Sequence, residues 1–268
     1  SALEWLKLPF HRVYEPVPNA EGRFMGGGLL FHRLKFAHVS SLAVLALTVV
    51  GAKTSGRVRL VAWAVAALGT IAVWFFPYAR MASVALAASL LVTVALVTPN
   101  RRRAVIAAAI IVVLGAATVA AVEPLRARFL SALTTEGSGD RKELLEAGLR
   151  AIEAHPFTGV GAGQFRPSLF APEGVPQYVL DNPGKAHNQF VSMAAEVGIP
   201  GALLFVLMLS SLAFAARRAP LGVLTLSGLT FFTLLSLAHD PLFQAPFSMA
   251  LVLVAGAGLA VPRRGDVS

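Results

Sequence analysis

The chain has 268 residues, 56% of them hydrophobic and only 14% charged, and its mean hydropathy of +0.69 lies far outside the balance of a soluble domain. The net charge of +9 raises the question of nucleic acid, yet about half of the basic residues fall in short clusters between apolar runs. That placement accounts for the charge without a nucleic-acid partner, and the absence of cysteine excludes both a disulfide framework and thiolate chemistry.

Residues 1–35 form a polar, aromatic segment that opens at Ser1 with neither an initiating Met nor a signal-like helix, so the chain reads as the C-terminal part of a longer membrane protein. Apolar runs long enough to cross a hydrocarbon core then predict seven helices, at roughly 36–52, 60–78, 81–98, 104–122, 200–216, 221–238 and 245–261. The predicted fold class is therefore all-α, a polytopic transmembrane bundle with a helical cap between spans four and five.

Orientation follows from the basic clusters, because Lys and Arg resist translocation. "AKTSGRVR" follows the first span, "NRRR" the third, "ARR" the fifth and "PRR" the seventh. All fall on one side, which is cytoplasmic. Residues 1–35, the turn at "FFPYAR", the segment 123–199 and the "AHDP" turn then lie on the exoplasmic face. The spans divide into a group over 36–122 and a group over 200–262, with a cytoplasmic tail at 263–268.

The segment 123–199 is long for a connection and of soluble character, the kind of loop that carries function. Within it, "GSGDRKELLEAGLRAIEAHP" offers Ser138 or Asp140 as an N-cap before Leu144, Leu145, Leu149 and Ile152 at helical spacing. This predicts an amphipathic helix of about four turns, ended by His155 and Pro156. A glycine-rich turn "GVGAGQF" and a Pro-rich irregular stretch follow. A short helix over 185–197 is then closed by "GIPG".

Several residues in this frame could carry chemistry. Gly159, Gly161 and Gly163 follow a helix and a Pro rather than a strand, so a tight turn is the better reading than a nucleotide loop, although such glycines let backbone amides approach an anion. The six histidines show no H-x-x-x-H or related ligand spacing, and no metal site or cofactor is expected. Arg80, at an exoplasmic helix start in "FFPYARMASVAL", either snorkels to the headgroups or serves a site. Arg141 is a solvated helix charge or, near the start of a cap helix, one that faces an anion. His187 is an interfacial imidazole or a site residue, and His239 and Asp240 are polar helix ends on the same face as the cap.

From His187 the sequence reads His187-Asn188, nine residues, then Gly198-Ile199-Pro200-Gly201. This resembles the His-[Asn/Ser/Gln]-x9-Gly-x-x-[Gly/Thr/Tyr] signature of bacterial O-antigen ligases and the wider O-antigen ligase/polymerase superfamily. Upstream, "DRKELLEAGLRAIEAHPFTGVGAGQF" is similar to that family's outer-loop pattern of an Arg-led helix followed by "hP-x-x-G-x-G-x-x-x-f". The resemblance runs roughly from Arg80 to Pro262, with a weaker echo in "GRFMGGGLLFHRLKFAH".

The resemblance implies a GT-C-like, metal-independent glycosyltransferase that moves a glycan from undecaprenyl diphosphate to a hydroxyl of lipid A-core. The site would face the periplasm, in a multi-pass protein of the bacterial inner membrane. It carries the family's active-site histidine onto His187, the outer-loop arginine onto Arg141 and the arginine of a Ser-Arg-Gly helix start onto Arg80, where this sequence departs from the pattern with Ala79-Arg80-Met81. Arginine forks would hold the leaving diphosphate, and His187 would accept the proton of the attacking hydroxyl, in a single inverting displacement. Asn188, Gly161, Gly163, Gln164, His239 and Asp240 are candidate substrate-binding residues, with Arg23 as an additional cation. A polymerase or protein O-oligosaccharyltransferase of the same superfamily shares this chemistry with another acceptor. A transporter would need ionisable residues inside the spans, which are almost absent from them.

Overall fold

The computed structural model describes residues 14–16, 24–26, 30, 32–77, 79–130, 141–175 and 185–260. Arg23, the cap candidates Ser138 and Asp140, and the tail 263–268 lie outside these residues. The chain forms two compact units, one of Ser1–Phe129 with Met249–Val254 and the other of Leu130–Ser248 with Ala255–Ser268.

The architecture is helical, as the apolar runs predict. In the first unit a small antiparallel ribbon, β1 (Tyr14–Pro16) and β2 (Phe24–Gly26), pairs Glu15 with Met25. Four helices follow: α1 (Arg33–Lys53), α2 (Gly56–Phe75), α3 (Arg80–Val97) and α4 (Arg101–Ala121). Side chains cap two of the four starts: at α1 His32 Nδ1 accepts from Leu34 N–H at 3.2 Å, and at α4 Asn100 Oδ1 accepts from Arg103 N–H at 3.1 Å. All four are apolar around most of their circumference, the pattern of helices solvated by lipid rather than water. In α4 no residue is buried. A short helix, α5 (Glu123–Leu130), continues from α4, with an ion pair between Glu123 and Arg126 one turn apart.

The second unit holds α6 (Arg141–Ala154), α7 (Gln189–Ala216), α8 (Gly222–Ser236) and α9 (Ala245–Leu259), although the middle of α9 falls in the first unit. α6 is the expected four-turn amphipathic helix, but its buried stripe is Leu144, Ala147, Gly148 and Ala151, and Leu149 is exposed. Small residues win this face because the helix comes very close to its neighbour: a Cβ on Gly148 would lie 2.7 Å from Val191 Cγ1 and 2.9 Å from Ala186 Cβ. Phe165 completes the core with Ala151, Ala186 and Ala195.

Among the described residues five helices are long and apolar enough to cross a membrane, namely α1 to α4 and α7. The spans expected at 221–238 and 245–261 form shorter apolar helices of 15 residues each, about 22 Å at 1.5 Å per residue. The residues between them form a turn that includes Pro241 and bonds to the cap, as described below. An aromatic ladder ties α7 to these two helices. Ring centroids lie 6.2 Å apart for Phe190 and Phe205, 6.1 Å for Phe205 and Phe232, and 6.4 Å for Phe232 and Phe247.

Candidate active site

α7 is two limbs joined at Gly198, whose φ of 74° and ψ of 170° suit glycine and penalise any Cβ. A helix that stops there leaves its last carbonyls without intrahelical donors, and the glycine-rich turn supplies them. Val160 N–H donates to Ala195 O and Gly161 N–H to Glu196 O, each at 2.9 Å, while Ile199 N–H donates to Pro156 O at 2.8 Å. A Cβ on Gly159 would lie 2.3 Å from the Glu196 carbonyl carbon, and one on Gly198 would lie 2.3 Å from Phe157 O. The two motifs "HPFTGVGAG" and "GIPG" are therefore the halves of one joint.

Glu196, buried at the end of the first limb, locks that joint. Its Oε2 accepts from Gly163 N–H at 3.0 Å and its Oε1 pairs with Lys185, whose ammonium lies 4.4 Å from the centroid of the Phe243 ring. Glu196 thus engages the N–H groups of both Gly161 and Gly163, the first through its backbone carbonyl and the second through its side chain. Gln164 stands exposed at the end of the turn, its N–H donating to Gly161 O at 3.0 Å.

The short helix begins four residues later than expected. Asn188 is its N-cap, with Oδ1 accepting from Phe190 N–H at 3.0 Å and Val191 N–H at 3.2 Å, so Lys185, Ala186 and His187 precede the helix rather than ride on it. His187 adopts φ 52°, and among the described residues it is the non-glycine residue with positive φ. A side chain there costs of the order of 1–2 kcal/mol and persists only where the surroundings enforce it.

The enforcing element is the turn between α8 and α9. Asn188 Nδ2 donates to Leu237 O at 3.3 Å, Gln189 N–H to His239 O at 3.2 Å and Leu242 N–H to Gln189 Oε1 at 3.0 Å. The rings of His187 and His239 meet edge to face with centroids 6.3 Å apart. Burial pushes the Asp240 carboxyl up to about 6, while the polar groups of Ser192 and the His187 backbone and the charge of Lys185 oppose the rise and Glu196 adds to it. The structure thus brings His187, Asn188, His239 and Asp240 into one cluster.

Arg141 is the first residue of α6. Gly148 meets Val191, and Pro156 meets Ile199, each contact eight residues further along both strands of chain, so α6 and the first limb of α7 run parallel. Arg141 consequently lies toward the end of the pair at which His187 precedes α7. Arg80 belongs to the first unit, where it opens α3, and the Arg33 guanidinium donates to Pro77 O at 3.4 Å in the turn before it.

Among the described residues no group of three or more His, Asp or Glu converges so as to hold a metal ion. The sequence reading passed over Ser192, Gln189, Lys185 and Glu196. Glu196 had a signal, being an acid alone in the apolar stretch "FVSMAAEVGIPG", and such an acid is buried only with partners.

Apolar helices of membrane-crossing length, with a polar cap that gathers titratable side chains before α7, mark a multi-pass membrane protein with a candidate site outside its spanning segments. The sequence pattern of the O-antigen ligase family matches residues 64–206, more than half of the chain, and the chain belongs to that family. It is accordingly a glycosyltransferase-like membrane enzyme of the O-antigen ligase/polymerase type. The match starts within α2 and stops within α7, so it covers the middle of this chain rather than its C-terminal part and begins earlier than the resemblance drawn from motifs. No curated protein matches the chain.

Proposed function

We propose that this protein transfers a glycan from undecaprenyl diphosphate to a hydroxyl of lipid A-core, at the periplasmic face of the bacterial inner membrane. The observation that carries the reading is the conformation of His187. A non-glycine residue is held at φ 52°, between a capped helix start and the α8–α9 turn, in the position that the family signature gives to its histidine. Backbone strain of this kind persists where function needs a side chain aimed.

In this scheme the acceptor hydroxyl oxygen attacks the anomeric carbon, the bond from that carbon to the diphosphate oxygen breaks, and undecaprenyl diphosphate leaves with the electron pair. The hydroxyl proton passes to the His187 imidazole. Arg141 neutralises the departing diphosphate. The same role for Arg80 rests on the family resemblance alone.

In purified full-length protein, His187→Ala and Arg141→Ala are each expected to lower glycan transfer by about 100-fold or more, in line with the usual contribution of a general base or an oxyanion-stabilising group. Parental rates in either variant would overturn that residue's assignment. The acceptor is read from the surface polysaccharide of a deletion strain. Loss of all capped lipid A-core supports the ligase, whereas capping by a single repeat shows a polymerase.

A further inference from the structure

The chain after His187 is fixed by the Asn188 cap of α7 and by the bonds of Asn188 and Gln189 to the α8–α9 turn. The chain before it is fixed by α7 itself. Ala186 N–H donates to Ser192 Oγ at 3.0 Å, and the Lys185 ammonium pairs with Glu196 Oε1. Ser192 and Glu196, four residues apart, share one face of the helix. Lys185 and Ala186 therefore run back along α7, and Lys185 reaches a residue seven positions past Gln189, about 10 Å along the axis. The chain reverses at His187 and Asn188, and the φ of 52° at His187 is the bend that makes the reversal.

Both ends of this ion pair are themselves held. Glu196 is 4% exposed, and its Oε2 accepts from Gly163 N–H at 3.0 Å, so the glycine-rich turn fixes the carboxylate from its other side. The Lys185 ammonium lies 4.4 Å from the centroid of the Phe243 ring, a cation–π contact with the α8–α9 turn. A buried ion pair adds little net stability, because desolvation offsets its attraction, and an apolar pair of similar volume is often as stable. What the pair supplies is register, since opposite charges meet in one alignment whereas apolar side chains can slip.

We propose that Lys185 and Glu196 form a positioning pair that ties the segment entering α7 back against the helix. The pair thereby holds His187 in its left-handed bend and fixes where the imidazole stands when the acceptor hydroxyl attacks. It acts through His187 and rests on the reading of His187 as the proton acceptor. Without the tether the entering segment swings out, φ relaxes to the ordinary region and the imidazole leaves the line of the hydroxyl. Displacements of about an ångström at a reacting group cost on the order of 100-fold in rate.

The test measures kcat and KM for the lipid-linked donor, with thermal unfolding of each protein, in full-length Lys185→Met, Glu196→Gln, the Lys185→Met/Glu196→Gln double variant and Lys185→Arg. Each single neutralisation leaves one buried charge alone and is expected to lower both the thermal midpoint and kcat. The double variant separates the two effects. It leaves no charge stranded, and an amide oxygen at position 196 still accepts from Gly163 N–H, so its midpoint should stay within about 4 °C of the parental one. Its kcat should nonetheless fall roughly 10- to 100-fold, with KM within about twofold. Lys185→Arg keeps the charge and should retain most of the parental kcat. In a His187→Ala background the double substitution should change nothing further. Parental kcat in the double variant, losses of kcat that merely track the thermal midpoint, or a full further loss without His187 would overturn the pair while leaving His187 in its role. Parental activity of His187→Ala alone would overturn both.

Discussion

The spanning helices of the first unit and the cap of the second satisfy their buried polar groups in different ways. In α1, α2 and α3 four hydroxyls turn back on their own helix: Ser41 donates to Ala37 O at 2.7 Å, Thr48 to Val44 O at 2.8 Å, Thr70 to Ala66 O at 2.8 Å and Thr93 to Ser89 O at 2.7 Å. In the cap the bonds cross between segments far apart in sequence, from Gly163 to Glu196, Asn188 to Leu237, and Leu242 to Gln189. Local bonds leave a helix free to slide against its neighbours, and long-range bonds do not. The cap therefore owes its shape to polar contacts, whereas the spans owe theirs to apolar packing.

The sharpest way to break the cap is at its joint. Gly198→Ala places a Cβ at φ 74° and 2.3 Å from Phe157 O, combining a left-handed penalty of about 1–2 kcal/mol with a clash against backbone that is itself bonded to α7. A loss of more than about 3 kcal/mol is expected, read as a collapse of the thermal transition of purified protein or of its yield. Gly163→Ala is the internal control. Its φ is 72°, yet a Cβ there meets nothing within 4 Å, so the conformational penalty alone remains. Equal losses in the two variants would show that the close crossing of the turn over α7 does not matter.

The same contrast decides what could be read from sequence. The spans announce themselves because every residue of an apolar run reports the same environment, and α1 to α4 fall close to their predicted bounds. The length and period of α6 were legible, and so was part of its buried face, since Leu144 is buried and Ile152 packs on the core whereas Leu149 is exposed. Leucine marks burial by size, whereas Gly148 and Ala151 mark it by letting α7 approach, a property of the partner that one helix does not encode. His187 was legible as a residue but misplaced on the helix, although Asn188, a good cap, stood beside it as the sign of where the helix starts. The contact of residues 186–192 with the α8–α9 turn was not legible. Asp240-Pro241 looks like a self-capping turn, and no spacing rule links it to Asn188 and Gln189 some 50 residues earlier.

Acidity probes the cap through Asp240. Its carboxyl is held at about 6 by burial, against 3.8 in an unfolded chain, so between those values the folded state binds the extra proton. Stability is therefore greatest below about pH 4 on this account and falls as pH rises to about 6, beyond which the cost of the buried charge is constant. Asparagine cannot ionise. Asp240→Asn should match the parental protein near pH 4 and exceed it at pH 7 by up to about 3 kcal/mol, the equivalent of about two pKa units, less whatever the weaker hydrogen bonds forfeit. Thermal unfolding across that range checks it, and a difference independent of pH would show that Asp240 titrates as an ordinary surface carboxylate.

One substitution made in both regions gives the finest comparison. Ser89 in α3 is buried, and its hydroxyl has no hydrogen-bond partner among the described residues. Ser192 in α7 is equally buried, but its hydroxyl oxygen accepts from Ala186 N–H at 3.0 Å. Removing an unpartnered hydroxyl discards a group that gains nothing from the fold, so Ser89→Ala should leave stability within about 0.5 kcal/mol of the parental value or raise it. Removing a hydroxyl that satisfies a buried N–H strands that group, and Ser192→Ala should cost about 1–3 kcal/mol. Thermal unfolding of the two variants in one detergent measures the difference directly. If Ser89→Ala proved the more damaging, the polar groups of the spans would be holding tertiary structure after all, and the division of labour between apolar spans and polar cap would fail.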